Sequence, residues 1–265
     1  MPNHVSTDLT VTGDKKELKE FREKHFRVEE QDGLTVDIFD FDTIIPMPKS
    51  LDIVSGSNTT NAMAVLKAKQ GDFTEIDRIA QYSWVKDKKS ASSTMGDREY
   101  TIQELERTLD EKAMEEGKMA LENIEKYGCA TWYDWKVSKW GTKWGAYDVS
   151  ISQAADDVME ISYSTAWSPA SPIFDKLNEM YPNLSFEQNI LDEGMGFGGK
   201  QVWDSSGYYE EMYEGDDLME FCNKYYGYDY TKCKCGEWYC MDWIDEDDDQ
   251  NLCEECNMEK KEVKE

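Results

Sequence analysis

The spacing of apolar residues changes twice along this chain, and those changes limit the folds open to it. Val5, Leu9 and Val11 are separated by polar residues, the two-residue rhythm of a half-buried strand that ends at Thr12-Gly13-Asp14. In KKELKEFREKHF, Leu18, Phe21 and Phe26 follow at helical spacing, and LTVDIFDFDTII then returns to a strand pattern before an extended loop at Pro46 and Pro48. Strand, helix and strand in this order make the first half of an α+β sandwich.

From about residue 50 to 128 the pattern turns helical. NAMAVLKAKQ and TEIDRIAQYSWV are short amphipathic pieces separated by Gly71-Asp72, and KDKKSASSTMGD reads as a polar loop. TIQELERTLDEKAMEEGKMALENIEKYG carries Ile102, Leu105, Leu109, Ala113, Met119 and Ile124 as one long helix stopped by Gly128. Strands then resume: YDVSIS and VMEISYS flank the AADD turn, SPIFDKLNEMYP is a helix opened by Ser-Pro, and NLSFEQNI, KQVWD and YYEEMY are three further strands. The expected fold is α+β, a ferredoxin-like antiparallel sheet with helices on one face. It is built from residues 1–49 and 129–228, with a helical insertion at 50–128 and a C-terminal zinc-ribbon-like module at 229–265.

Composition narrows the functions. The 265 residues are 39% hydrophobic and 12% aromatic, enough to bury a core, and 56 acids against 29 bases give a net charge of -27. Such a surface repels phosphate and anionic lipid, which disfavours direct nucleic-acid binding and a membrane surface. The sequence has no apolar run near a membrane span, and MPNHVSTDLTV lacks signal-peptide features, so a cytoplasmic protein is expected. The acid is uneven: Asp204 to Glu265 holds 20 Asp and Glu against 6 Lys, a net of -14. No sequence feature specifies an oligomeric state.

Five of the seven cysteines crowd into CKCGEWYCMDWIDEDDDQNLCEEC. Cys253 and Cys256 form a C-x-x-C pair, and Cys233 and Cys235 form a tighter C-x-C pair eighteen residues upstream. Two thiolate pairs match a closed, structural Zn2+ site, with Cys240 as an alternative ligand for Cys233 or Cys235. Gly236 allows the backbone to turn toward the metal. A closed tetrathiolate leaves no open coordination position, so the metal is expected to hold the acidic tail in shape rather than to catalyse. The competing reading is a tail of free thiols.

Other motifs weigh less. GMGFGG, residues 194–199, is followed by a strand rather than a helix, so it reads as a bend between strands and not as a phosphate cradle. The two histidines, His4 and His25, stand beside no obvious nucleophile, and no catalytic residues are assigned. Trp132, Trp135, Trp140 and Trp144 fall within thirteen positions together with Lys136, Lys139 and Lys143. They read as a structural joint between insertion and sheet, with the lysines on a solvated helical face, or as a stacking platform for a ligand; the acidic surroundings favour the joint.

MPNHVSTDLTVTG, FDFDTIIPMP, KWGTKWGAYD, TAWSPASPIFDKLNEMYPNLSFE and DEGMGFGGKQVWD occur in this order, and in them the chain resembles the YubB-like family of phage and plasmid proteins over residues 1 to about 205. The resemblance implies a ferredoxin-like domain and a mobile-element, accessory role. Together with the charge, it leads to an expected non-enzymatic protein that binds and inhibits or modulates a host protein, a counter-defence inhibitor whose acidic surface occupies a basic nucleic-acid-binding groove. The expected contact is the run Asp245, Glu246, Asp247, Asp248 and Asp249 between the cysteine pairs. The alternative is a zinc-ribbon-containing, nucleic-acid-associated regulator; an enzyme with an unrecognised site is a third reading.

Overall fold

The computed structural model describes residues 3–31, 33–89, 94–240, 244 and 252–262. Two compact units divide the chain, one of Met1–Asp40 with Trp144–Glu265 and the other of Phe41–Lys143.

The first unit is an α+β structure built on an eight-stranded sheet. Its strands are β1 (His4–Gly13), β2 (Phe26–Gln31), β3 (Leu34–Phe39), β4 (Tyr147–Ala155), β5 (Val158–Ala166), β6 (Leu184–Asp192), β7 (Gly198–Asp204) and β8 (Gly207–Tyr213). They lie in the order β2-β3-β4-β5-β1-β6-β7-β8, with every neighbouring pair antiparallel. Alternation sets the register. Val5, Thr7, Leu9 and Val11 turn one face of β1 inward, and β5 answers with Met159, Ile161, Tyr163 and Thr165.

Two helices cover that inward face. Helix α1 (Lys15–His25) starts at Asp14, whose carboxylate accepts the N–H groups of Lys16 and Glu17 at 3.0 Å each. Its Phe21 meets Phe39, Tyr181 and Phe186 edge to face. Helix α8 (Ser171–Met180) brings Phe174 against Phe186 and Trp203, and the Trp203 indole N–H donates to Asp175 at 2.7 Å. The expectation of helices on one face stops here. Helix α9 (Gly215–Tyr226) packs Leu218, Phe221 and Cys222 against Leu191, which lies on the opposite side of β6 from Phe186. Gly198 makes that approach possible, since a Cβ there would stand 2.7 Å from Leu218 Cδ1.

The second unit is helical. It contains α2 (Ser57–Lys69), α3 (Thr74–Ile79), α4 (Ser83–Lys88), α5 (Asp97–Thr108), α6 (Glu111–Tyr127) and α7 (Trp132–Lys139), with short 3-10 turns at Phe41–Thr43 and Lys49–Leu51. Ala64, Val65, Ala68, Ile76, Ile79, Val85 and Leu105 form its core. The single long helix expected at 101–128 is two helices: Asp110 interrupts it, its carboxylate accepting the N–H of Ala113 at 2.7 Å to cap α6. Among the described residues no helix is long and apolar enough to cross a membrane.

Candidate metal centre

Strands β9 (Tyr230–Lys232) and β10 (Trp238–Cys240) form a hairpin whose turn carries the C-x-C pair. The Cys233 N–H donates to Glu237 O at 2.8 Å, and the Gly236 N–H donates back to Cys233 O at 2.9 Å. Gly236 has φ of 100°, a conformation that a side chain would strain, so the chain reverses there as its sequence suggests. The hairpin is fastened to α9: the Asn223 side-chain amide accepts from Tyr230 N and donates to Tyr230 O, both at 2.8 Å, while Asp216 takes the Lys232 ammonium and the Trp238 indole N–H at 2.6 Å each.

The C-x-x-C pair lies at the start of α10 (Glu254–Glu262). Cys253 O accepts the Asn257 N–H at 3.0 Å, and buried Asn257 donates its side-chain amide to Leu252 O at 3.0 Å. This fixes the lead-in to the helix and sets Cys253 and Cys256 on one turn. The sulfurs of Cys233, Cys235, Cys253 and Cys256 all lie within 4.8 Å of one another, with Cys235 and Cys253 at 3.6 Å. A tetrahedron of Zn–S bonds of about 2.3 Å has S–S edges of about 3.8 Å, so the spacing suits an all-thiolate metal site. Cys233 and Cys253 are buried with Tyr239, whereas Cys235 is exposed. These four residues can hold a metal ion.

Their proton affinities diverge. Backbone N–H groups of Cys235 and then Cys253 hold the Cys233 sulfur as a thiolate and lower its pKa to about 6. The Cys256 thiol is pushed up by its contacts with Cys235, Cys253 and Cys233. One thiol therefore ionises readily, and its charge adds to the contacts that keep the proton on Cys256. A metal cation displaces that proton, because all four ligands bind it as thiolates.

Cys240 stands apart. It is buried with Leu191, Leu218, Phe221, Cys222 and Tyr230, on the other side of the hairpin from Tyr239, which packs with Cys233 and Cys253. The pairs that converge are Cys233 with Cys235 and Cys253 with Cys256. Asp245, Glu246, Asp247, Asp248 and Asp249 lie outside the described residues.

The tryptophans do not form one stack. The Trp132 ring meets Tyr133, Trp135 meets Tyr127, Trp140 meets Phe41 and Trp144 meets Tyr147. Trp140 is 4% exposed and its indole N–H donates to Ile45 O at 2.9 Å; Trp144 is 36% exposed. The Trp135 N–H is buried without a partner among the described residues. Helix α7 explains the motif, because Trp and Lys four apart share a helical face. Lys136 Nζ lies 5.4 Å from the Trp132 ring centre and 4.7 Å from that of Trp140, and Lys139 Nζ lies 5.8 Å from that of Trp135. Lys136 is thus half-buried between two rings rather than on a solvated face, and desolvation lowers its pKa against the attraction of Asp42 and Asp52.

The remaining motifs are structural in placement. GMGFGG makes the β6–β7 turn and opens β7, with the Gly196 N–H donating to Asp192 Oδ2 at 3.1 Å. His25 is buried against the Tyr181 hydroxyl at 2.9 Å, and His4 Nδ1 is 2.6 Å from the Tyr147 hydroxyl.

Residues 146–224 match the family described as a ferredoxin-like domain in Api92-like protein. The crystal structure of protein Api92 from Yersinia pseudotuberculosis is similar at 12% identity and a TM-score of 0.39, covering 81% of this chain and 99% of that one. No curated protein matches the chain.

Proposed function

We propose that this chain is a non-enzymatic accessory protein of a mobile element, in which Zn2+ held by Cys233, Cys235, Cys253 and Cys256 forms a zinc-ribbon-like staple for an acidic docking surface. The observation that carries this reading is the convergence of four thiols, within 4.8 Å, from two pairs that bracket the most acidic stretch of the chain. Four thiolates fill a tetrahedral shell, which leaves the ion a structural task. A loop closed at both ends on a metal loses less conformational freedom on binding than a free tail, so its carboxylates meet a partner at lower cost.

The partner in this reading is a host protein with a basic, nucleic-acid-binding surface. The net charge of -27 supports it, because such a field accelerates association with a cationic surface and opposes approach to nucleic acid. The resemblance of its sequence blocks to the YubB-like family of phage and plasmid proteins supports a mobile-element origin, and that origin taken with the charge leads to the counter-defence reading. The test is capture of host-lysate proteins on the immobilised chain, followed by elution with duplex DNA. A basic nucleic-acid-binding protein displaced by the DNA supports the proposal. Salt-dependent binding of a labelled oligonucleotide to the chain itself, with no such protein captured, overturns it in favour of a nucleic-acid-associated regulator.

A further inference from the structure

Strand β8 ends the eight-stranded order, and all seven of its residues pair with β7 on one side only. Among the described residues no strand lies on its other side, so that edge presents backbone donors and acceptors without a ladder partner. The strand is also unusually open for one so rich in large side chains: Tyr208 is 48% exposed, Tyr209 53% and Met212 40%. Alternation places Tyr208, Glu210 and Met212 on the face that α8 covers further in, and Tyr209, Glu211 and Tyr213 on the face of α9. A further strand would meet a glutamate and at least one tyrosine on either face.

The two central carboxylates are held by neutral donors. Glu210 accepts from the Tyr208 hydroxyl and from Gln201 Nε2, and Glu211 accepts from the Tyr213 hydroxyl at 2.9 Å. These bonds orient both groups and lower both pKa values, the Tyr208 and Tyr209 hydroxyls respectively being the largest causes. They do not neutralise the charge. Among the described residues no lysine or arginine forms an ion pair with either group; Lys224 and Lys200 attract Glu211 from beyond ion-pair distance, and Lys200, opposite it in the ladder, pairs with Glu187 at 2.6 Å. The other edge strand differs, because Arg27 of β2 is paired with Glu29 and Asp40.

We propose that the outer edge of β8 docks an extended, lysine- or arginine-rich segment of a partner protein, which adds to the sheet as a further strand. Main-chain bonds would supply attachment, and neighbouring basic side chains of the added strand, which point to opposite faces, would meet Glu210 on one face and Glu211 on the other. A second copy of this chain fits poorly, since antiparallel pairing of two β8 strands about their centre sets glutamate against glutamate. The inference rests on the reading that the partner is basic, and it names the element that reads the partner.

Three labelled peptides test it against the full chain: repeats of two lysines and two valines, which put lysine on both faces of a strand, the same lysine count interspersed with proline, and repeats of two glutamates and two valines. Fluorescence anisotropy measures binding, and amide hydrogen exchange locates it. The expected result is that the lysine–valine peptide binds, slows exchange in β8, and binds about tenfold more tightly than the proline peptide, which cannot complete a ladder. Glu211→Lys should weaken that binding by about tenfold, and Glu211→Gln, which keeps the side-chain size, by a smaller factor in the same direction. Equal binding of the lysine–valine and proline peptides overturns the edge proposal while the basic-partner reading stands. Failure of every cationic peptide to bind overturns both. Comparable binding of the glutamate peptide, or self-association that itself protects β8, also overturns the edge proposal.

Discussion

Cys235 and Cys253 are eighteen residues apart in the chain, and their sulfurs are 3.6 Å apart in the fold. That separation is too long for a disulfide of about 2.05 Å and close to the edge of a zinc tetrathiolate. The convergence depends on two unlike local devices, the Gly236 turn after β9 and the first turn of α10.

Serine substitutions separate the ligands from the remaining cysteine. Cys253→Ser should abolish stoichiometric metal binding, whereas Cys240→Ser should leave it intact, because Cys240 packs among Leu218, Phe221 and Tyr230. Colorimetric thiolate–metal titration of the two variants is the check. Equal metal loss in both would place Cys240 in the site.

The tryptophans should divide by burial. Trp140→Ala removes a buried ring and its bond to Ile45 O, and should cost about 3 to 5 kcal/mol. Trp144→Ala, at a ring 36% exposed, should cost about 1 kcal/mol or less. Urea unfolding of each variant measures the difference, and similar losses would contradict the separate placement of the two rings.

Helix crossing inverts an ordinary rule at Gly117. Alanine in place of glycine inside a helix normally adds about 1 kcal/mol of stability. Here a Cβ would lie 2.5 Å from Ala62 Cβ and 3.1 Å from the backbone of Ala62 and Met63 in α2. Gly117→Ala should therefore destabilise by about 1 to 3 kcal/mol, and added Ala62→Gly should restore part of it. A Gly117→Ala protein that melts higher than the parent would refute the contact.

Acid should weaken the fold partly through His25. Burial, followed by the charge of Lys24, lowers its pKa from 6.5 to about 4. Below about 6.5 the unfolded chain takes up this proton and the folded chain does not, so the contribution is complete above that pH and is lost progressively down to about 4. His25→Gln removes the titration. The stability gap between parent and variant should narrow as pH falls through this window; parallel profiles would show that His25 does not titrate as described.

Much of the sheet was legible because β1, β5 and β6 have one buried face, which forces apolar residues into alternation. Strand β2 was not, since FRVEEQ pairs only with β3 at an edge and needs no continuous apolar side. Helix α9 left a readable signal that the strand pattern before it obscured: Asp216 and Asp217 in the first turn, Leu218, Phe221 and Cys222 on one face, and Gly227 in a left-handed cap. Asp110 was likewise readable as a helix start inside what periodicity joined into one element. The cysteine pairs could be found from spacing, but the exclusion of Cys240 could not, because it follows from which side of a three-residue strand faces the thiols.

The most direct test of the account is native mass spectrometry of the full chain purified without chelator. One zinc per chain, retained through purification and lost in Cys253→Ser, is the result the converged thiols predict. A metal-free mass for the parent protein, with all seven cysteines reduced and still folded, would contradict a zinc-stapled module.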